Sequence, residues 1–368
     1  MKYYIIAGEA SGDLHASNLM KALQKKDKNS SFRFWGGDLM HSVGGTQVRH
    51  YRELAFMGFL EVFLNLRTIL KNISFCKKDI LAFQPDVLIL VDYPGFNMRI
   101  AAFAKNKNIK VHYYISPQIW AWKENRIKKI KRDIDKMYVI LPFEKDFYEQ
   151  KYQFPVHFVG HPLLDAIKGR DVISEADFRR ENKLSNTPII ALLPGSRKQE
   201  IVKMLSVMLT VVQRFPNYQF VIAGAPSQDD TFYKPFIAKK NIAFVTGKTY
   251  DLLSVATAAL VTSGTATLET ALFKTPEIVC YKTSWFSYQI AKKVVNLKFI
   301  SLVNLIMNKE VVAELVQSDC NPKRLEEELG KILEEGNRKK IAETYEVLEE
   351  KLGGVGASNR VAGLIVEG

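Results

Sequence analysis

An unbroken apolar stretch, Tyr3-Tyr4-Ile5-Ile6-Ala7, runs straight into Gly8-Glu9-Ala10-Ser11-Gly12-Asp13, and Leu14, Ala16, Leu19, Met20 and Leu23 then recur at helical spacing. A strand that breaks at glycine and opens a helix is the repeating unit of parallel α/β architecture. The same unit returns at Ile189–Leu193, which leads into Pro194-Gly195-Ser196-Arg197 and a helical pattern from near Glu200. Between them, short apolar runs alternate with helical patterns. In the first half these are Phe32–Trp35, Val87–Val91, Val111–Ile115, Met137–Ile140 and His157–Val159. In the second they are Gln219–Ala223, Ala243–Val245, Ala259–Val261 and Glu277–Cys280. The pattern predicts two Rossmann-like domains with parallel sheets, facing each other across an interdomain cleft. With 368 residues the chain also exceeds what one ordinary core holds. The expected boundaries are 1–165 and 166–344, joined near Gly160-His161-Pro162. The charged helical tail, about 345–368, is expected to pack back on the first domain.

Composition narrows the function classes. The net charge of +13 calls for an anionic partner, whether nucleic acid, phospholipid surface or phosphorylated substrate. The six histidines and three cysteines (Cys76, Cys280, Cys320) form no metal-ligand spacing, so no metal site and no cofactor are expected. The cysteines read as reduced thiols in a cytosolic protein. No apolar run of about 20 residues is present, so no transmembrane helix is expected. The segment Leu54 to Leu70 is nevertheless unusually apolar. Read as a helix, it sets Phe59, Val62, Phe63, Leu66, Leu70 and Ile73 in one stripe, which Leu60, Leu64 and Ile69 widen. Either a buried core helix or a helix resting in a membrane interface explains it. The basic run Lys123–Arg132 lies nearby in sequence and, with the apolar helix, favours an anionic bilayer over nucleic acid, for which no recognition motif exists.

Ligands of open parallel sheets sit at the carboxyl ends of strands, and polar motifs cluster there. The opening loop offers backbone donors and a helix dipole to an anionic or hydroxyl-rich ligand, but has neither Walker nor dinucleotide spacing. In Gly195-Ser196-Arg197 a tight turn precedes a guanidinium, which suits phosphate or is a plain surface arginine. In Ser263-Gly264-Thr265, Ser263 and Thr265 suit an N-cap, and Glu269 one turn later could take a ribose diol. Asp92, ending Val87–Val91 before Tyr93-Pro94-Gly95, fits a general base or a helix cap. Trp120 and Trp122 cannot share a helix face, so at least one lines a loop, by stacking on substrate or by ordinary packing.

Gly8–Leu14, Asp92-x-Pro-x-Phe-Asn97, Ser116–Trp122, Leu141-Pro142-Phe143-Glu144, Gly160-His161-Pro162, Leu193–Arg197 and Ser263–Glu269 occur in this order. So ordered, the chain closely resembles the lipid-A-disaccharide synthases, glycosyltransferases of lipopolysaccharide synthesis, from Met1 to about Asn321. Ala10 stands where the family's first motif commonly has threonine, and Val303 where it has proline before Asn304. The resemblance implies a GT-B fold and transfer of a sugar from UDP-2,3-diacylglucosamine to the 6-hydroxyl of 2,3-diacylglucosamine 1-phosphate (lipid X), with inversion and release of UDP. It implies Asp92 as the base, Arg197 and the helix start at Ser263–Thr265 for the UDP, Glu269 for the ribose and Asn304 as a further binding residue. The opening loop (Gly8, Glu9, Ser11, Gly12, Asp13) then falls to the acceptor side near Asp92, with Ser11 and Asp13 as polar contacts. Both substrates carry acyl chains, so the implied location is cytoplasmic and peripheral to the inner membrane, through Phe59, Leu60, Val62, Phe63, Leu66 and Leu70. A homodimer is compatible with all of this. The competing readings are another UDP-N-acetylglucosamine-using GT-B enzyme and a non-catalytic nucleotide-sugar or lipid-binding protein.

Overall fold

The computed structural model describes residues 1–53, 66–237, 242–284, 288–289 and 297–368. They form two compact units, Met1–Gly169 with Leu352–Gly368, and Arg170–Lys351. The first holds β1 (Lys2–Ala7), β2 (Ser31–Gly36), β3 (Thr46–His50), β4 (Val87–Val91), β5 (Lys110–Tyr114), β6 (Lys136–Val139) and β7 (His157–Phe158). The second holds β8 (Ile189–Leu193), β9 (Gln219–Gly224), β10 (Ile242–Thr246), β11 (Ala258–Thr262), β12 (Glu277–Tyr281) and β13 (Ala313–Val316). The sheet orders are β3-β2-β1-β4-β5-β6-β7 and β10-β9-β8-β11-β12-β13, and the pairings are parallel.

Each order reverses once, between β1 and β4 and between β8 and β11. At such a switch point the connections leave in opposite directions and open a crevice at the strands' carboxyl ends. Central strands such as β4 (VLILV) and β8 (IIALL) are buried at every residue. Both faces are therefore covered, as a parallel sheet requires. Along β8, Ile190 and Leu192 join one core while Ile189, Ala191 and Leu193 join the other, following the two-residue period. β3 and β13 lie outside the apolar runs that predict strands. Both are edge strands of mixed polarity (TQVRH and AELV), so neither carries the apolar run that marks a central strand.

Helix Leu66–Phe83 divides the apolar stripe: Ile73 is buried and Ile69 packs on the core, while Leu70 is 54% exposed. Phe59, Leu60, Val62 and Phe63 lie outside the described residues, as does the side chain of Leu66.

The chain returns to the first unit at Leu352, and helix Ala357–Val366 lies against helix Ala10–Lys26. Asp165 accepts hydrogen bonds from the amides of Gly356 and Ser358. The Arg360 guanidinium donates to the carbonyls of Val159, Gly353, Gly354 and Val355. Gly160 makes this clip possible. Its φ is +80°, and a Cβ there would lie 2.5 Å from Arg360 Nη2 and 3.0 Å from the Leu352 carbonyl. Gly160→Ala should therefore lower unfolding free energy by about 2–3 kcal/mol, from left-handed strain plus the clash. Urea denaturation of the variant against the parent checks this.

Candidate active site

In the second unit the two switch-point loops, after β8 and after β11, line an open cavity of about 260 Å³ together with residues after β9. Gly195 shapes the first loop: its φ is +99°, and a Cβ would sit 2.2 Å from Glu200 Oε2. That carboxylate accepts from the Ser196 amide, and Ser227 Oγ donates to the Ser196 carbonyl, so the turn is braced from both sides. Neither Glu200 nor Ser227 was singled out from sequence. For Glu200 the available signal was an acid in the first turn after the glycine. Arg197 is the N-cap of helix Lys198–Met208, is exposed, and lies outside the cavity lining.

On the β11 side the expected cap is corrected. The N-cap of helix Thr265–Leu272 is Gly264, with no side-chain cap. The Ser263 hydroxyl instead donates to the Ile300 carbonyl, 3.1 Å away. Thr265 begins the helix and lines the cavity. Both helices that open from this cavity thus start without a side-chain cap, which leaves first-turn N–H groups for an anion. A Cβ on Gly264 would meet no protein atom within 4 Å, so the fold itself does not demand glycine there. Glu269 lines the same cavity and accepts from Tyr250 OH at 2.9 Å. Burial pushes its carboxyl up, and the Tyr250 bond opposes this.

Asn304 does not join this group, which corrects its expected binding role. It is fully buried, its amide nitrogen donates to Val312 O and Glu314 Oε1, and its oxygen accepts from the amides of Val311 and Val312. With those bonds made, it shapes its own turn.

At the first unit's switch point, Asp92 follows β4 and Gly8 follows β1. Asp92 and Tyr93 both take left-handed backbone, φ +45° and +49°. Such non-glycine outliers cost about 1–3 kcal/mol each and collect at functional sites. The Asp92 carbonyl is held by Asn97 Nδ2 at 2.7 Å and by Tyr113 OH, and its amide donates to Tyr114 O. This answers the alternative that Asp92 caps the helix: the N-cap of Pro94–Lys105 is Tyr93. Gly8 has no room for a side chain, because a Cβ would lie 2.3 Å from the Tyr93 ring. Glu9, in the same turn, stands at the N-cap position of helix Ala10–Lys26 without a side-chain cap bond. Burial first, then the neighbouring charges of Glu9 and Glu144, push the Asp92 carboxyl up to about 6, against a bond from the Tyr93 amide.

Asp13 is not available as a polar contact for substrate. It is buried and accepts from the amides of Gly37 at 2.7 Å and of Leu39 and Met40 at 3.1 Å. Its task is to cap helix Asp38–Val43. Gly12 lets the start of helix Ala10–Lys26 approach Ala7, whose Cβ lies 3.3 Å from where a Cβ on residue 12 would be, and Ser11 is exposed.

The two Rossmann-like units define a protein of the GT-B fold. Two UDP-N-acetylglucosamine 2-epimerase structures have this fold. That of Neisseria meningitidis, bound to UDP-GlcNAc, superposes with a TM-score of 0.66 at 13% identity over all of both chains. That of Methanocaldococcus jannaschii, with UDP-GlcNAc and UDP, gives 0.67 at 14%, again over all of both chains. The chain belongs to the lipid-A-disaccharide synthase family: the family model described as lipid-A-disaccharide synthetase matches residues 3–364. The lipid-A-disaccharide synthase of Syntrophus aciditrophicus is 41% identical over 97% of this chain and 95% of its own. That of Geobacter metallireducens is 39% identical over 99% and 96%. The protein is thus a glycosyltransferase of lipid A disaccharide synthesis.

The raised Asp92 carboxyl has a sign that stability can test. An acid whose folded pKa lies above its unfolded value costs stability once pH passes from about 4 through 6, because ionisation is harder in the fold. Asp92→Asn carries no such cost. At pH 8 the variant should melt a few degrees above the parent, and the gap should close near pH 4, as calorimetry at the two pH values will read.

Proposed function

We propose that the chain joins UDP-2,3-diacylglucosamine to the 6-hydroxyl of 2,3-diacylglucosamine 1-phosphate by one inverting displacement, with Asp92 as base. The observation that carries this is the Asp92 carboxylate at the first switch point, with a carboxyl near 6 and thus ionised yet basic at neutral pH. In the step, the acceptor O6–H proton passes to Asp92 while O6 bonds to the donor's anomeric carbon. The bond from that carbon to the diphosphate oxygen breaks, and UDP leaves with the electron pair. The donor belongs to the second unit. There the uncapped starts of Lys198–Met208 and Thr265–Leu272, with Gly195, Ser196, Ser263, Gly264 and Thr265, suit the diphosphate, and Arg197 adds a guanidinium. Glu269 suits the ribose hydroxyls. The acceptor belongs to the first unit, by Gly8, Glu9, Ser11 and Gly12.

Asp92→Asn should cut acceptor-dependent UDP release by about 10²–10⁴-fold, while calorimetric UDP affinity stays within twofold. In the parent, kcat/KM should fall on the acid side with a midpoint near 6, because protonated Asp92 cannot take the proton. Retained turnover in the Asn variant removes Asp92 from this role. No UDP release on adding lipid X to the parent would refute the reaction itself.

The membrane assignment also belongs to this proposal. No described helix is long and apolar enough to cross a membrane. On helix Ile127–Asp133, Ile127 and Ile130 are buried while Lys128, Lys129, Lys131 and Arg132 face outward. Just before it, Trp122 is 41% exposed, with Lys123 Nζ 4.2 Å from its ring centroid. An exposed tryptophan beside basic residues suits the headgroup layer of an anionic leaflet, as does the apolar helix segment with Leu70. Changing Lys128, Lys129 and Lys131 together to glutamine should weaken binding to phosphatidylglycerol-containing vesicles roughly 10²-fold at low salt, at about 1 kcal/mol per lysine. Vesicle co-sedimentation measures it.

A further inference from the structure

The loop after β5 and the Leu141-Pro142-Phe143-Glu144 motif after β6 are tied by one buried carboxylate. Glu144 is 1% exposed. Its Oε1 accepts from Ser116 Oγ at 2.6 Å and Trp120 Nε1 at 3.1 Å, and its Oε2 from the amides of Ile140 at 3.2 Å and Leu141 at 3.0 Å. Two of these donors come from the loop after β5 and two from the end of β6, so the carboxylate bridges neighbouring strand ends. All four partners can donate, so the site is built for the ionised acid. Burial pushes the Glu144 carboxyl up, and the bonds from Ser116, Leu141, Trp120 and Ile140 oppose it.

The loop it holds needs holding. Ile115, directly before Ser116, has φ +64°, and a β-branched residue in left-handed backbone is a true outlier. Lys123, directly after Trp122, has φ +53°. Tyr148 OH adds a bond to the Pro117 carbonyl. The next strand over is β4, whose end carries Asp92, and the β5 residues Tyr113 and Tyr114 hold the Asp92 backbone.

We infer that Glu144 is a positioning residue: its buried carboxylate fixes the Ser116–Trp122 loop at the carboxyl edge beside Asp92 and so sets the wall against which the acceptor lies. This rests on the assignment of the acceptor to Asp92. Glu144 itself touches no reacting atom.

The test is Glu144→Gln in the full-length enzyme, assayed with UDP-diacylglucosamine and lipid X in detergent micelles. The amide places an N–H among four donors, so the loop loosens without a change of volume. The expected result is a loss of about 10²-fold in kcat/KM for lipid X, with calorimetric UDP affinity near the parent's and a melting midpoint a few degrees below it. Deuterium uptake should rise in the peptide spanning 116–122. Trp120→Phe, which removes one donor and keeps the carboxylate, should shift kcat/KM the same way by a smaller factor, and it carries the test if Glu144→Gln does not fold. Acceptor kcat/KM within twofold of the parent, or a parallel loss of UDP affinity, overturns the inference. A parent without acceptor-dependent UDP release sinks the proposed reaction instead. Deuterium uptake then still decides: unchanged uptake in 116–122 of Glu144→Gln overturns the hold on the loop, and increased uptake supports it.

Discussion

The Asp92 carbonyl oxygen, held by the Asn97 amide and the Tyr113 hydroxyl, keeps two successive residues in left-handed backbone. Much of the first unit's carboxyl edge follows from that constraint. Tyr93 swings over the β1 turn, so residue 8 must lack a side chain. Asn97 must stand one turn into the helix, which is why Asp92-x-Pro-x-Phe-Asn97 reads as one motif. The strain is tolerated because β4 and the last four residues of β5 are buried, and the two strands pair along their length beneath it.

The two sheets, of seven and six strands, reverse order at the same place but gather different side chains at their switch points. The second unit's cavity is lined mostly by small residues, with the carboxylates of Glu200 and Glu269 among them. The first gathers acids: Glu9 and Glu144 both add to burial in raising Asp92. A carboxylate raised toward neutrality is suited to taking a proton and ill suited to holding a diphosphate. At the first edge, burial and two neighbouring acids together hold the Asp92 carboxyl near neutrality.

Two residues expected as ligand contacts, Asp13 and Asn304, are structural, for a common reason. Asp13 caps a helix that begins 25 residues later, and Asn304 is consumed by residues 311–314. A short polar side chain beside glycine advertises hydrogen-bonding capacity, but its partner is chosen by chain that arrives from elsewhere. Glu200 and Ser227 show the converse: they brace the Gly195 turn without belonging to an obvious motif.

The order of apolar runs and glycine turns was sufficient to establish two parallel α/β units and to set Asp92, Ser196 and Ser263 just past strand ends, because strand burial and turn geometry are local properties. The ordered motifs also identified the family. Only the tertiary structure decided that Gly8 yields to Tyr93, that Asp13 and Asn304 are spent on backbone, and that Glu144 joins the ends of β5 and β6. Those outcomes depend on which strands become neighbours, and sheet order arises from long-range pairing that no local pattern encodes.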